Sequence, residues 1–342
     1  MTRSFPFMPL FGPRFVRGCG AIIGFLASLA PHPTARAAEG GTSYYFPGAL
    51  GSFGVSLPPD AGFQVASQTL TYHGSLDRAV LSGQVDVGLK LNAVYNFFSV
   101  AYTLPQPILG ARFQISAALP VAYAELKADV TGPLGNTTRV TRSDFNVGDL
   151  IFYPATFYWN PGTNFYVKLG EMIVAPVGHY DVNQPVNVGR NYWGFDTQLG
   201  LTYFNPKIGT EVSLLSGIMF NTPNNATHYK TGSEVHLDFM LNQFLSPQFA
   251  VGFQGYYYQQ VSGDSGNGTR LGEFRGQSVG VGPGVLWSPA AAKGKLSIIA
   301  KWLFDVESEN RLRANYGQLT IAYKFGGPAA TPNPAAGTTS AK

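Results

Sequence analysis

The sequence is short of cysteine, of charge and of long apolar runs, and each shortage removes a class of protein. Its only cysteine is Cys19, too few for a disulfide framework or a Cys-based metal site. Charged residues make up 12% of the chain, against about 25% in an average soluble domain. Beyond the first residues no apolar stretch approaches the roughly 20 residues of a spanning helix. There is also no Walker loop, no CxxC, no H-E-x-x-H and no G-x-S-x-G nucleophile elbow, so no cofactor, metal or catalytic residue is expected on motif grounds.

What is present begins with a secretory signature. Arg3, Arg14 and Arg17 precede the apolar stretch G-C-G-A-I-I-G-F-L-A-S-L-A at 18–30, and A-R-A follows at 35–37. A basic start, a short apolar core and an A-x-A site describe a signal peptide over residues 1–37, cleaved after Ala37. Its removal takes four arginines and no acid from 23 basic and 19 acidic residues, and leaves 19 of each. The mature chain is therefore near neutral, and a nucleic-acid partner is not expected. Cys19 leaves with the signal.

From residue 63 to 325 the chain repeats one habit. Segments of about ten residues alternate apolar with polar or small side chains, and turns rich in Gly, Pro, Asn and Asp separate them. In 295–307 one face holds Leu296, Ile298, Ala300, Trp302, Phe304 and Val306, and the other holds Lys301, Asp305 and Glu307. In 211–220, Val212, Leu214, Ile218 and Phe220 oppose Glu211 and Ser213. Glu171 breaks the pattern by falling on the apolar face, which a bulge at Gly170 would explain. Thirteen segments can be counted; merging one early pair gives the even number expected of a single-chain bacterial barrel, twelve.

Such alternation serves either a soluble sandwich or an outer-membrane barrel. Export, strand length, low charge and aromatics near segment ends (152–159, 256–258, Tyr192 with Trp193, and Trp287) favour the all-β, antiparallel transmembrane barrel. The closing strand ends in Y-K-F at 323–325, resembling the terminal signal that barrel assembly machinery reads, with Phe325 last. Residues 326–342 read as a disordered tail. Residues 38–62 are too rich in Gly and Pro for a strand and form either an outer arm or a lumen plug. Tyr44, Tyr45, Phe46 and Phe53 favour the plug, since such side chains are seldom left in water.

Several phrases together resemble the outer-membrane proteins associated with meta-pathway phenol degradation. They are Y-F-P-G at 45–48, I-L-G-A-R at 108–112, G-D-L-I-F-Y-P at 148–154, N-Y-W-G-F-D at 191–196, T-G-S-E-V-H-L-D at 231–238, G-Y-Y-Y-Q-Q-V-S-G-D-S-G at 255–266 and V-G-P-G-V at 281–285. The resemblance implies an outer-membrane barrel, placed among transporters, with no catalytic residues.

Two stretches stand out as candidate sites. In E-V-H-L-D-F-M, Glu234, His236 and Asp238 share one strand face. Spread over about 13 Å at roughly 3.3 Å per residue, they cannot close a tetrahedral metal site unaided, so they are expected to line the water side of a strand, as plain lumen wall or as a ladder met by a solute. In Y-Y-Y-Q-Q, the plain reading is a strand passing through an aromatic belt into a turn; the sharper one has Tyr256, Tyr258 and Gln260 facing inward to a solute, since Tyr rings and an amide suit a phenol. The expected function is passive uptake of small aromatic or other hydrophobic compounds through an outer-membrane barrel gated by the N-terminal segment. Its rivals are an outer-membrane enzyme acting on lipids, in which His179 or His236 would serve, and a structural or surface-binding barrel without a through path.

Overall fold

The computed structural model describes residues 42–81, 84–131, 137–267 and 275–325. The signal expected over 1–37 and the tail over 326–342 lie outside the described residues. Twelve staves follow one another: β1 Gly62–Leu81, β2 Gln84–Thr103, β3 Arg112–Thr131, β4 in two parts (Thr137–Val147 and Leu150–Gly162), β5 Phe165–Ala175, β6 Gly194–Asn205, β7 Thr210–Asn221, β8 Glu234–Ser246, β9 Phe249–Gln260, β10 Gln277–Trp287, β11 Leu296–Glu309 and β12 Arg313–Phe325. Each pairs antiparallel with its neighbours. β12 returns to β1 in an unbroken register from Phe63 opposite Phe325 to Ser75 opposite Arg313, which closes the ring. The expected merger is found in β2, which unites 84–94 with 95–104.

Both parts of β4 lie on the same edge of β3, Thr137–Val147 against its outer half and Leu150–Gly162 against its inner half. Only the second part pairs with β5. Gly148 and Asp149 interrupt the stave opposite Pro120, whose carbonyl accepts the Gly148 N–H at 2.8 Å. A Cβ on Gly178 would lie 2.5 Å from the Gly148 backbone, so the loop after β5 packs its bare backbone onto the interruption.

The connections at the end of the barrel that holds Phe63 and Phe325 are 104–111, 163–164, 206–209, 247–248 and 288–295, none longer than eight residues. At the other end, where short connections also occur, run the long loops 176–193 and 222–233 and the described residues 261–267 and 275–276. Short periplasmic turns and longer outer loops are the habit of such barrels, which sets the outward direction. β1, β2 and β3 are 20 residues each, about twice what a tilted strand needs to cross a bilayer. Alternation continues past the membrane edge, so their length is not marked in the sequence.

The faces fall as the alternation predicts. In β7, Val212, Leu214, Ile218 and Phe220 are exposed while Glu211 and Ser213 are buried; in β11, Trp302, Phe304 and Val306 point out while Lys301, Leu303 and Asp305 point in. The apolar face thus covers the outside, as a wall against lipid requires. Phe63, Phe165, Tyr203, Phe249, Trp287 and Phe325 stand exposed at periplasmic strand ends, and Trp193 and Phe195 at an outer one. Two expectations fail here. Tyr192, Tyr256 and Tyr258 belong to no interfacial belt, because they are buried inside the ring. Glu171 is not re-aimed by a bulge at Gly170. β5 keeps its register with β6, the irregularities lie in β4, and Glu171 stays on the outer face, accepting a 2.6 Å hydrogen bond from Thr197 directly opposite.

Residues 42–61 lie inside the ring. They rise from Asp60, paired with Lys324 at 3.3 Å near the periplasmic mouth, to Ser43, which meets Arg311 in the outer β11–β12 turn. The Y-F-P-G phrase makes a turn in which Ala49 N–H donates to the Phe46 carbonyl at 2.9 Å. Pro47 precedes Gly48, whose φ of 71° suits the third position of a type II turn. A Cβ on Gly48 would also meet Leu303 at 2.4 Å.

A cysteine pair replacing Ala66 and Ala322, which face each other across the closing seam, should test the ring. Opposed antiparallel residues sit about 4.5–5.5 Å apart at Cα, within disulfide reach. Oxidation of A66C/A322C is expected to give a faster-migrating denatured band that dithiothreitol abolishes. An open seam would leave both thiols alkylatable.

Candidate functional site

The six polar residues singled out in the sequence form three cross-strand pairs: Glu234 opposite Gln260, His236 opposite Tyr258 and Asp238 opposite Tyr256. All six face inward and all are buried, because the N-terminal segment lies over them. Tyr45 is at the centre. Its ring stacks on His236 at 4.1 Å and runs parallel to Tyr258 at 5.9 Å, and its hydroxyl donates to Asp238. The second Asp238 oxygen takes the Gly51 N–H at 2.6 Å. A Cβ on Gly51 would lie 2.6 Å from the Asp238 Cβ, so only glycine allows that approach.

Further groups fasten the segment along its length. Lys301 Nζ donates to the Gly48 and Gly51 carbonyls at 2.7 and 2.5 Å. Glu211 accepts the Gly54 N–H at 2.9 Å. The Tyr44 hydroxyl lies 2.7 Å from both an Asp149 oxygen and the Tyr192 carbonyl, its single hydrogen available to either. Arg311 donates to the Tyr45 carbonyl at 3.1 Å and lies 4.0 Å over the Tyr258 ring, a cation–π distance. His236 bonds Asp196 at 3.0 Å rather than the acids of its own strand. Tyr256 and Tyr316 both bond Asp305. His179 lies in the loop after β5, 3.8 Å from Asp144. No group of His, Cys, Asp or Glu among the described residues can hold a metal ion.

Above the segment is a cavity of about 110 Å³. Its walls are Tyr72, Leu89, Leu91, Tyr95, Ala124 and Leu126 of β1–β3, Tyr180, residues 184–187, Gly189, Arg190 and Tyr192 of the loop after β5, Thr42, Ser43 and Phe46 of the segment, and Arg311 and Leu312. Arg190 and Arg311 are the charged groups on it. A smaller void of about 20 Å³ shares Phe46, Tyr95 and Arg190 with it and reaches Pro120, Asp149 and Ile151 at the interruption of β4. None of the six predicted residues borders either space. Sequence reading missed this cavity because the outer ends of β2 and β3 turn apolar side chains inward, Leu89, Leu91, Ala124 and Leu126, where polar ones are expected, and the rest of the wall comes from a loop without a period.

Asp264 of the G-D-S-G phrase anchors an outer turn. It accepts from Tyr229 and Gln260 and takes the Gly232 N–H at 2.8 Å. Burial pushes its carboxyl from 3.8 up to about 6 although these three hydrogen bonds pull the other way. An acid raised in the folded state holds its proton longer there than when unfolded, so its stability contribution is full below about pH 4 and lost as pH rises to about 6. Amide-exchange protection of Gly232, corrected for intrinsic rate, should therefore fall between pH 4 and 7, and D264N should flatten that fall.

Lys301 tests the fastening. K301M removes the donor shared by two segment carbonyls at a net loss of about 1.5–3 kcal/mol for hydrogen bonds to a charged group. It should leave a folded, heat-modifiable barrel whose single-channel conductance is several-fold higher. Unchanged conductance would mean that the segment holds without it.

The first of three solved structures compared with this chain agrees with its architecture. An outer membrane channel of Pseudomonas putida F1 superposes with a TM-score of 0.63 at 16% identity, covering 82% of this chain and 100% of its own. The beta domain of the Bordetella autotransporter BrkA gives 0.49 at 14% identity over 78% of this chain and 100% of its own. CymD, a monoaromatic hydrocarbon channel, gives 0.38 at 9% identity over 85% and 97%. No curated protein sequence matches. A family profile described as "Putative MetA-pathway of phenol degradation" matches residues 77–321, most of the barrel, and the chain belongs to that family.

Proposed function

We propose that this protein is a passive outer-membrane channel for uptake of small aromatic or otherwise apolar molecules, with the outer cavity as its entry site and residues 42–61 as its gate. The observation that carries this reading is the cavity: an aromatic and aliphatic pocket at the outward end of a lumen otherwise filled by the chain's own segment. A dry cavity of about 150 Å³ accepts benzene, so the space here is of single-ring size. Family membership supports the reading, since the family is described by phenol degradation.

Glu234, His236, Asp238, Tyr256, Tyr258 and Gln260 then form the seat of the gate, and a solute meets them only when the segment moves. In the same reading residues 1–37 export the chain and are cleaved after Ala37, and β12, ending in Phe325, presents it to the barrel assembly machinery. The filled lumen also suits a second reading, a binding barrel without a through path.

Whole-cell uptake of labelled phenol separates the two. Cells lacking the protein should take it up several-fold more slowly. The intact gene should restore the rate; A124W, which fills the cavity from β3, should not, although its barrel is folded and heat-modifiable. Equal uptake in all strains would overturn the channel and leave the binding barrel.

A further inference from the structure

The charged groups on the outer cavity are of one sign. Arg190 and Arg311 line it, and no aspartate or glutamate does. Neither guanidinium is paired with a carboxylate. Arg190 donates from Nη1 to Thr42 Oγ1 at 2.8 Å and stands 5.5 Å over the Tyr44 ring. Arg311 donates to Ser43 Oγ and the Tyr45 carbonyl and lies over Tyr258. An arginine carries five N–H donors, so these neutral partners use one donor of Arg190 and two of Arg311. The acids in the neighbourhood form no ion pair with either guanidinium, although Glu234 and Asp305 lie within electrostatic reach of Arg311 and Asp149 within reach of Arg190. Their hydrogen bonds go to groups other than a guanidinium. Asp149 takes Tyr44 and the Gly178 and Arg190 backbone N–H groups; Asp305 takes Tyr256, Tyr316 and the Ala314 N–H; Glu234 takes Asn221 at 3.2 Å.

Arg311 is buried and Arg190 part-buried beside an apolar wall, and two such cations with no acid in an ion pair with them are a costly arrangement for a pocket meant for hydrocarbons alone. It suits an amphiphilic anion. The guanidinium fork matches a carboxylate in shape and charge, and both arginines reach consecutive residues of the segment tip, Thr42 and Ser43, which places them at one end of the cavity. Phe46, Tyr72, Tyr95 and four leucines supply the apolar remainder, and its single-ring size excludes a long acyl chain.

We propose that the outer cavity takes a small aromatic carboxylate, its ring among Phe46, Tyr72 and Tyr95 and its carboxylate on Arg190 and Arg311. This rests on the uptake reading and narrows its substrate class from apolar molecules in general to aromatic acids. The narrowing has a physical reason, because an ionised acid pays a desolvation penalty in a lipid core that a neutral arene does not and so has more need of a protein path.

The test is calorimetric binding of benzoate, phenol and hexanoate to the full-length protein in detergent at pH 7.5, where both acids are ionised. Benzoate should bind at least tenfold more tightly than phenol and than hexanoate. R190Q and R190K should show whether the fork matters. Benzoate affinity should fall tenfold or more in R190Q and less in R190K, while phenol changes less than twofold. R311Q should act in the same direction, with heat-modifiability confirming a folded barrel in each variant. Equal affinities for benzoate and phenol, both indifferent to R190Q, would overturn the aromatic acid while leaving phenol uptake to stand or fall by its own assay. Hexanoate binding as tightly as benzoate would overturn the aromatic part. Absence of binding by all three would overturn the site.

Discussion

A bilayer core offers no water to an unpaired amide or carbonyl, so a wall of strands in it must close upon itself. The β1–β12 seam meets that demand, and much else follows from it. Closure gives every stave two partners along its membrane-crossing part, which fixes register, and register fixes which side chains face in. Because the period is two, a slip of one residue would carry Glu211, Asp238 and Lys301 into lipid and Val212, Phe239 and Trp302 into the lumen. The interruption of β4 is tolerated because it lies where that stave leaves β5, and the loop after β5 covers it with its own backbone: His179 N–H donates to the Val147 carbonyl at 3.0 Å and Gly178 N–H to Asp149 at 2.9 Å.

The polar lumen that results would ordinarily be wetted. Here Asp238, Lys301, Arg311 and Glu211 instead find their partners on residues 42–61. Each such bond replaces one to water, and the net gain is about 0.5–1.5 kcal/mol for a neutral pair and about 1.5–3 with a charged one. A handful of modest contributions holds the segment firmly at rest. They also leave it displaceable, since every group it releases can return to water in a barrel of this width. On the proposed reading, the filled lumen and the open gate would be two states of one set of hydrogen bonds.

The strand faces could be read from the sequence because a lipid-facing wall imposes its alternation on every stave. β7, β11 and β12 show it, and even the thirteenth apparent segment resolved into β2. Where two constraints overlap, the reading blurred. Tyr256 and Tyr258 look like membrane-interface residues because tyrosine also suits a buried polar lumen, and only the pairing with β8 and the presence of Tyr45 tell the two apart. The glycines of the N-terminal segment announced irregular backbone, whereas their purpose lay in contacts more than 180 residues away: Gly51 against Asp238 and Gly48 against Leu303. Arg190 and Arg311 sit in outer loops without any period, and nothing local in N-V-G-R-N or S-E-N-R-L sets them apart from solvated surface arginines.

The segment runs directly into β1 at Gly62, the strand that must meet the last one to complete the ring. A finished cylinder could be filled only by feeding the tip in from the periplasmic mouth and drawing it past every side chain it now touches. Folding the wall around it needs no such passage. In that order Tyr45 and Gly51 would act as a mandrel on which β8 and β9 settle before the seam shuts, so the residues that fill the lumen would also help to shape its wall.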